Sequence, residues 1–235
     1  MNYAIVTAAG VGSRMKLSIP KQYYQVNGKP LIVYTLEAFQ KCEEIDGICL
    51  IISEQYEPEI KKLLKIYDLS KVKWIAYGGE SNQMSINNGL VMLDGKINDN
   101  DIVLVHDGIR PLVTSDIIID CIEVAKKNGN AIAAVPCNEA MLFTKDKIIS
   151  DRSIDRNNIM KTQTPHAMAF LDMKNLMKKT IHRGQKESVA ICTMLIEDGQ
   201  TVFFSKGNNL NFKLTQPEDI SLFKGILAMK IFENN

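Results

Sequence analysis

The chain is predicted to fold as an α/β domain: a mostly parallel, Rossmann-like sheet with helices on both faces and a projecting β-arm. Three observations predict this. Short β-branched runs alternate with helical patterns up to Pro136, glycine-rich or polar loops follow the strand candidates, and the alternation lapses after Pro136. The expected layout is a single domain over 1–235, with the arm inserted at about 137–165.

The strand candidates are Tyr3 to Thr7, Gly47 to Ser53, Val72 to Ala76, Ile102 to Val105 and Ala131 to Val135. Each is rich in Val and Ile or in small apolar residues, as strands buried on both faces require. Helical candidates lie between them at Pro30 to Cys42, Glu57 to Ile66, Asn82 to Leu93 and Ser115 to Lys127. Pro30 suits a first helical turn, and Thr114-Ser115-Asp116 supplies cap candidates. In the arm, Ala140 to Thr144 and Lys147 to Ile149 read as weaker strands. Beyond it come helices at Leu171 to His182 and Ser188 to Glu197, strands at Thr201 to Phe204 and Asn211 to Leu214, and a last helix from Pro217.

Composition narrows the partners. Hydrophobic residues make up 46% and charged ones 23%, and 28 Lys and Arg against 27 Asp and Glu leave a net charge of +1. With no basic surplus, a nucleic-acid partner is not expected, and a small anion is the expected ligand. The five cysteines sit singly in apolar stretches without Cys-x-x-Cys spacing, which reads as reduced thiols in a cytoplasmic protein. No run approaches the roughly 18 apolar residues of a spanning helix, so no membrane partner is expected. The three histidines, His106, His166 and His182, lack metal-ligand spacing, so no zinc site is expected.

The first strand runs into Thr7-Ala8-Ala9-Gly10-Val11-Gly12-Ser13-Arg14, followed by Pro20-Lys21. Small residues at Ala8, Ala9, Gly10 and Gly12 let backbone N–H groups approach phosphate oxygens. Arg14 offers a bidentate fork and Lys21 a mobile point charge. No Gly-Lys-Ser/Thr follows, and the third glycine of a dinucleotide fingerprint is missing. The glycines alone suit a tight strand exit equally well; the two cations favour a triphosphate grip.

Four later segments fall at strand ends, where open α/β sheets bind ligands. They are Gly78-Gly79 with Ser85, His106-Asp107-x-x-Arg110-Pro111, Asp155-Arg156 with Gln163-Thr164-Pro165, and Asn211-x-Lys213-x-Thr215-x-Pro217-Glu218-Asp219. Taken singly, Asp107 reads equally as a loop cap, Lys213 as a solvated edge lysine, and Asp155-Arg156 as a turn with a surface ion pair.

Together with the opening loop, this ordered set resembles the cytidylyltransferases that join CTP to polyol phosphates, including the 2-C-methyl-D-erythritol 4-phosphate and ribitol 5-phosphate enzymes. The resemblance runs from Ala4 to about Leu222. It implies that Arg14, Lys21 and Lys213 are the catalytic cations. Ala8, Ala9, Gly10, Gly12, Gly79, Ser85 and Asp107 would bind the nucleotide, with Asp107 carrying or orienting Mg²⁺. Asp107, Arg110, Arg156, Thr164 and Lys213 would surround the acceptor phosphate. The implied partners are CTP, a small polyol phosphate and a second copy of the chain, dimerised through the arm so that Arg156 serves the neighbouring site.

The chain departs from the family pattern at Asn82, where an arginine is common, and at Ala140, where a threonine is frequent. The usual Thr-Asp-Asp/Glu run appears as Glu187-Ser188-Val189-Ala190. The last two losses fall where the resemblance places acceptor contacts, so ribitol 5-phosphate or glycerol phosphate is the expected acceptor and 2-C-methyl-D-erythritol 4-phosphate the alternative. Two further alternatives are an inactive nucleotide-binding regulator and a sugar 1-phosphate nucleotidyltransferase.

Overall fold

The computed structural model describes residues 1–10, 19–184 and 190–233, those after 229 as backbone alone. Gly12, Arg14, Glu187, Ser188 and Val189 lie outside the described residues.

The first strand, β1 (Asn2–Ala8), is followed by a 3-10 turn at Lys21–Tyr23 and a small hairpin of β2 (Gln25–Val26) and β3 (Lys29–Pro30). Asn27 and Gly28 join the hairpin with φ of 51° and 75°. Asn-Gly adopts this left-handed pair most readily, which is why the chain reverses there. Helix α1 (Leu31–Lys41) buries Leu31, Ile32, Leu36 and Phe39. Then come β4 (Gly47–Ile52), buried at every residue, α2 (Glu57–Ile66), β5 (Val72–Tyr77), α3 (Asn82–Leu93), β6 (Ile102–Asp107), α4 (Ser115–Asn128) and β7 (Asn130–Pro136).

The second half comprises β8 (Met141–Phe143), β9 (Arg152–Ile154), β10 (Met160–Ala169), α5 (Phe170–His182), α6 (Ile191–Glu197), β11 (Phe204–Lys206) and α7 (Pro217–Glu233). Among the described residues the main sheet has seven strands, in the order β11-β7-β10-β6-β1-β4-β5. Neighbouring strands run parallel except β10, which is antiparallel to both β6 and β7. Ile32, Leu36 and Phe39 of α1 pack with Ile117 and Ile118 of α4 and Ile60 of α2 on one face. Ile86 of α3, Met173 of α5 and Leu195 of α6 pack on the other. A third cluster joins α7, through Phe223, to Val26, Leu31 and Leu214.

The chain steps outward from β1 to β4 and β5, then returns to pair β6 on the other side of β1. The carboxyl ends of β1 and β6 therefore form the topological switch point, where a crevice opens in such sheets. Thr7 lies beside Asp107 there.

Several expectations are corrected. The arm ends at about 159 rather than 165, because Met160–Ala169 pairs with both β6 and β7 inside the main sheet. Lys147 to Ile149 is a turn, not a strand: Asp146 Oδ1 accepts the N–H groups of Ile148 and Ile149. The strand paired with β8 is instead Arg152–Ile154. Asn211 to Leu214 is irregular, held by the Leu214 N–H donating to the Ile109 carbonyl at 3.0 Å. The strand expected at Thr201 to Phe204 begins at Phe204, in parallel register with Ile132 to Ala134. All five cysteines are unpaired. Among the described residues, no helix is long and apolar enough to cross a membrane.

Candidate active site

The β1 exit is shaped by side chains that satisfy its backbone. Gln22 Nε2 donates to the carbonyls of Ala8 at 2.7 Å and Gly10 at 3.0 Å, and Ser53 Oγ donates to that of Ala9 at 2.9 Å. With the carbonyls turned toward these donors, the loop keeps a fixed course beside β5. Gly78 makes that approach possible: a Cβ there would lie 2.3 Å from the Ala9 Cβ. A Cβ at Gly79 would meet the Met84 Cβ at 2.5 Å, whereas one at Gly10 would meet no atom of the described residues within 4 Å. Close backbone approach is thus required at Gly78 and Gly79.

Ser85 holds the same turn. Its Oγ accepts the Gly79 N–H at 3.0 Å and donates to the Ser81 carbonyl at 2.9 Å. Ser81 caps α3 by accepting the Met84 N–H at 3.1 Å. Between these elements lies a cleft of about 370 Å³, lined by Ala8, Ala9, Gly10, Lys21, Gly79 and Ser85 and reaching Asp107 and Lys213. Lys21 is buried in its 3-10 turn against this cleft.

At the end of β6, Asp107 joins two cations. Oδ2 accepts from Arg110 Nε at 3.0 Å, and Oδ1 accepts from Lys213 Nζ at 3.0 Å. Burial pushes the Asp107 carboxyl upward, but the charges and hydrogen bonds of Lys213 and Arg110 outweigh it and hold the pKa at about 2. Arg110 Nη1 also donates to the Asn211 carbonyl at 2.9 Å, so the guanidinium is anchored on two sides. A second cavity of about 170 Å³ opens beside it, lined by Arg110, Thr162, Thr164, Ala190 and Ile191. Thr7, Asn82, Asp107 and Lys213 line both cavities, which therefore meet at the Asp107–Lys213 pair.

Beneath this pair lies a buried polar layer that the motifs alone do not reveal. Thr164 Oγ1 accepts the Asp107 N–H at 3.1 Å and lies 3.1 Å from His106 Nδ1. Asn211 Nδ2 donates to the Thr164 carbonyl at 2.9 Å. Gln163 Nε2 donates to the Asn208 carbonyl at 2.8 Å. Burial pushes His106 down to about 3 and His166 down to about 4, so both rings are neutral. Gln22 is the supporting residue that sequence reasoning passed over, its available signal being an uncharged polar residue next to the motif lysine Lys21; Asn211 was named in its motif without a role.

Of the expected site residues, Ala8, Ala9, Gly10, Lys21, Gly79, Ser85, Asp107, Arg110, Thr164 and Lys213 converge on the two cavities. Gly12 and Arg14 lie outside the described residues. Arg156 lines neither cavity; it lies in the projecting hairpin, where Nη1 donates to the Asn138 carbonyl at 3.0 Å. A larger hollow of about 490 Å³, bordered by Asn128, Asn130 and Lys178, lies at the opposite, amino-terminal edge of the sheet and shares no residue with this site.

A doubly wound sheet whose switch point carries two adjoining cavities joined through a carboxylate and a lysine suits a group transferase that holds two anions side by side. Residues 2–229 match the family described as IspD: 2-C-methyl-D-erythritol 4-phosphate cytidylyltransferase, and the chain belongs to that family. Its activity class is cytidylyl transfer.

The chain is 36% identical to a ribitol-5-phosphate cytidylyltransferase of Lacticaseibacillus paracasei over 97% of this chain and 98% of that one. It is 34% identical to a 2-C-methyl-D-erythritol 4-phosphate cytidylyltransferase of Clostridium botulinum, over 96% and 97% of the two chains. The crystal structure of 4-diphosphocytidyl-2C-methyl-D-erythritol synthase from Anaerococcus prevotii superimposes with a TM-score of 0.84 at 27% identity, covering 97% of this chain and 96% of that one.

Proposed function

We propose that this protein transfers CMP from CTP to ribitol 5-phosphate, or to a closely similar alditol phosphate such as glycerol phosphate, releasing pyrophosphate and a CDP-alditol. The observation that carries this reading is the junction of the two cavities at Asp107 and Lys213, which suits two anions held side by side. Ribitol is favoured by the Lacticaseibacillus paracasei relative at 36% identity and by a second ribitol-5-phosphate cytidylyltransferase, of Vibrio parahaemolyticus, at 34%. It is favoured too by Ala140 and Ala190, which offer neither the hydroxyl nor the carboxylate frequent at those places. The family description and the Clostridium botulinum relative support 2-C-methyl-D-erythritol 4-phosphate as the second reading.

The cleft walls at Ala8, Ala9, Gly10, Gly79 and Ser85 would receive the nucleoside and its phosphates, with Gly12 in the same loop. Lys21 and Arg14 would neutralise the triphosphate, and Lys213 would bridge from donor to acceptor. Arg110, Thr164 and Lys213 would border the acceptor phosphate, and Arg156 would reach a neighbouring subunit's site from the arm.

A phosphate oxygen of the acceptor attacks the α-phosphorus in line, the new P–O bond forms as the bond to pyrophosphate breaks, and the leaving group takes that electron pair. The nucleophile is already anionic, so alignment and charge neutralisation carry the catalysis. No side-chain nucleophile is needed. A hard divalent cation fits Asp107, since Mg²⁺ takes one or two carboxylates together with substrate phosphates. Bound there, Mg²⁺ would neutralise phosphate charge; Asp107 would exchange one of its lysine or arginine partners to hold it.

The test is pyrophosphate release from CTP and Mg²⁺ with ribitol 5-phosphate, glycerol phosphate and 2-C-methyl-D-erythritol 4-phosphate in parallel. Ribitol 5-phosphate is expected to give the highest kcat/KM. Turnover confined to the methylerythritol compound would establish the second reading, and turnover with none would refute both.

A further inference from the structure

We propose that His106 is a positioning residue for the acceptor half of the site, clipping both ends of the loop that carries Asp107 and Arg110. His106 precedes that loop, yet its fully buried ring reaches across to the loop's far end. Nε2 faces the Arg110 carbonyl at 3.4 Å, a long contact, and a carbonyl can only accept. The proton of the neutral ring therefore sits on Nε2, leaving Nδ1 as the acceptor. Thr164 Oγ1, 3.1 Å from Nδ1, must donate its single proton there. Its oxygen then accepts the Asp107 N–H, also at 3.1 Å.

The result is a closed circuit: Asp107 N–H to Thr164, Thr164 O–H to His106, His106 N–H to Arg110. It fixes the backbone on either side of Gly108 and Ile109. It also turns the Thr164 proton inward, away from the second cavity. The ring is held in register by Phe39, whose centroid lies 5.1 Å away. Alternation along β6 puts His106 on the face of α1 while Asp107 faces the cavities, so the histidine acts without touching a substrate.

The kinetic part of this inference rests on the functional reading above; the spectroscopic part does not. In long-range ¹⁵N–¹H spectra of the wild-type protein, His106 is expected as the Nε2-protonated tautomer, and an Nδ1-protonated ring would overturn the proposal. In kinetics with ribitol 5-phosphate, or with 2-C-methyl-D-erythritol 4-phosphate if only that compound turns over, His106→Leu is expected to raise the acceptor KM about tenfold, the scale of one lost buried hydrogen bond. The CTP KM should rise less than the acceptor KM, because Gln22, Ser53 and Ser85 support the donor cleft independently of this loop although Asp107 reaches it.

His106→Asn, whose amide oxygen falls near the position of Nδ1, is expected to recover the acceptor KM to within about threefold of wild type. Thr164→Val should match His106→Leu, and the double variant should be no worse than either single one, since both break the same circuit. Equal rises in the two KM values, no rescue by asparagine, or additive effects would each refute the assignment. Should the leucine variant fail to fold, the asparagine variant, Thr164→Val and the spectra still decide the matter. If neither acceptor turns over with wild-type protein, the functional reading fails while the spectra continue to test His106.

Discussion

Asp107 carries two obligations at once: its carboxylate bridges Arg110 and Lys213, and its backbone N–H anchors Thr164. Because its pKa is depressed to about 2, the stabilisation it contributes is fully present above the unfolded-state value and is lost as pH falls through the folded one. With an unfolded value near 3.9, the loss falls between about pH 4 and pH 2 and amounts to roughly 2 kcal/mol. Denaturant titrations at pH 6 and pH 3 should show this loss in the wild type and a smaller one in Asp107→Asn, which is already less stable at pH 6. Equal pH dependence in the two proteins would contradict the assignment. The site residues legible in the sequence were those with charge, with small size, or with a hydroxyl inside a motif, such as Ser85 and Thr164. His106 reads in the sequence as a hydrogen-bonding residue of the sheet and Asn211 as part of a motif, but their partners and those of Gln22 were not legible, because a buried polar side chain has value only through groups distant in sequence, such as Thr164 and the Ala8 carbonyl.

At the scale of elements, runs such as Gly47–Ile52 and Ile102–Asp107 announced themselves because strands buried on both faces have no polar alternation to obscure them. The strand β10 did not. Met-Lys-Thr-Gln-Thr-Pro-His-Ala-Met-Ala mixes polar residues with a central proline, which ordinarily argues against an interior strand. It is tolerated here because the register with β7 shifts between Thr162 and His166, so Pro165 lies where no ladder bond is required. The Asn27-Gly28 hairpin was a readable signal that went unused. The packing of the β5 exit against the β1 loop yields a prediction at this scale. Gly78→Ala places a methyl group 2.3 Å from the Ala9 Cβ, so the two loops must part. The expected outcome is CTP affinity reduced at least about tenfold, read by calorimetry, with overpacking costing about 1–3 kcal/mol of stability in denaturant titration. Gly225→Ala in α7, whose Cβ would meet no atom of the described residues within 4 Å and which lines neither cavity, serves as the control.

For the whole molecule, the sheet gathers both cavities on one edge, while β8 and β9 project from it with Leu142, Ile148 and Ile149 exposed. A short two-stranded ribbon with that much uncovered apolar surface is poorly stable alone and gains by pairing with a second copy. We therefore expect sedimentation to show a dimer, and a chain whose residues 139–157 are replaced by a short turn to sediment as a monomer. If Arg156 serves the neighbouring site, mixing Arg156→Ala subunits with Lys21→Ala subunits should restore part of the activity that each lacks. A trimmed chain that stays dimeric would remove the arm from the interface.

The single reversed strand has a consequence for how the chain tolerates changes of length. From His166 to Met168 every residue is registered against both neighbours, and Thr164 must keep facing the Asp107 N–H. One residue added or removed there would turn the remaining side chains to the wrong face of the sheet. The tip around Asp146, bonded only to its own turn, carries no such constraint. Insertions at the tip therefore leave the fold of the subunit intact, at the expense of the pairing expected between copies, whereas β10 admits substitutions but no insertions.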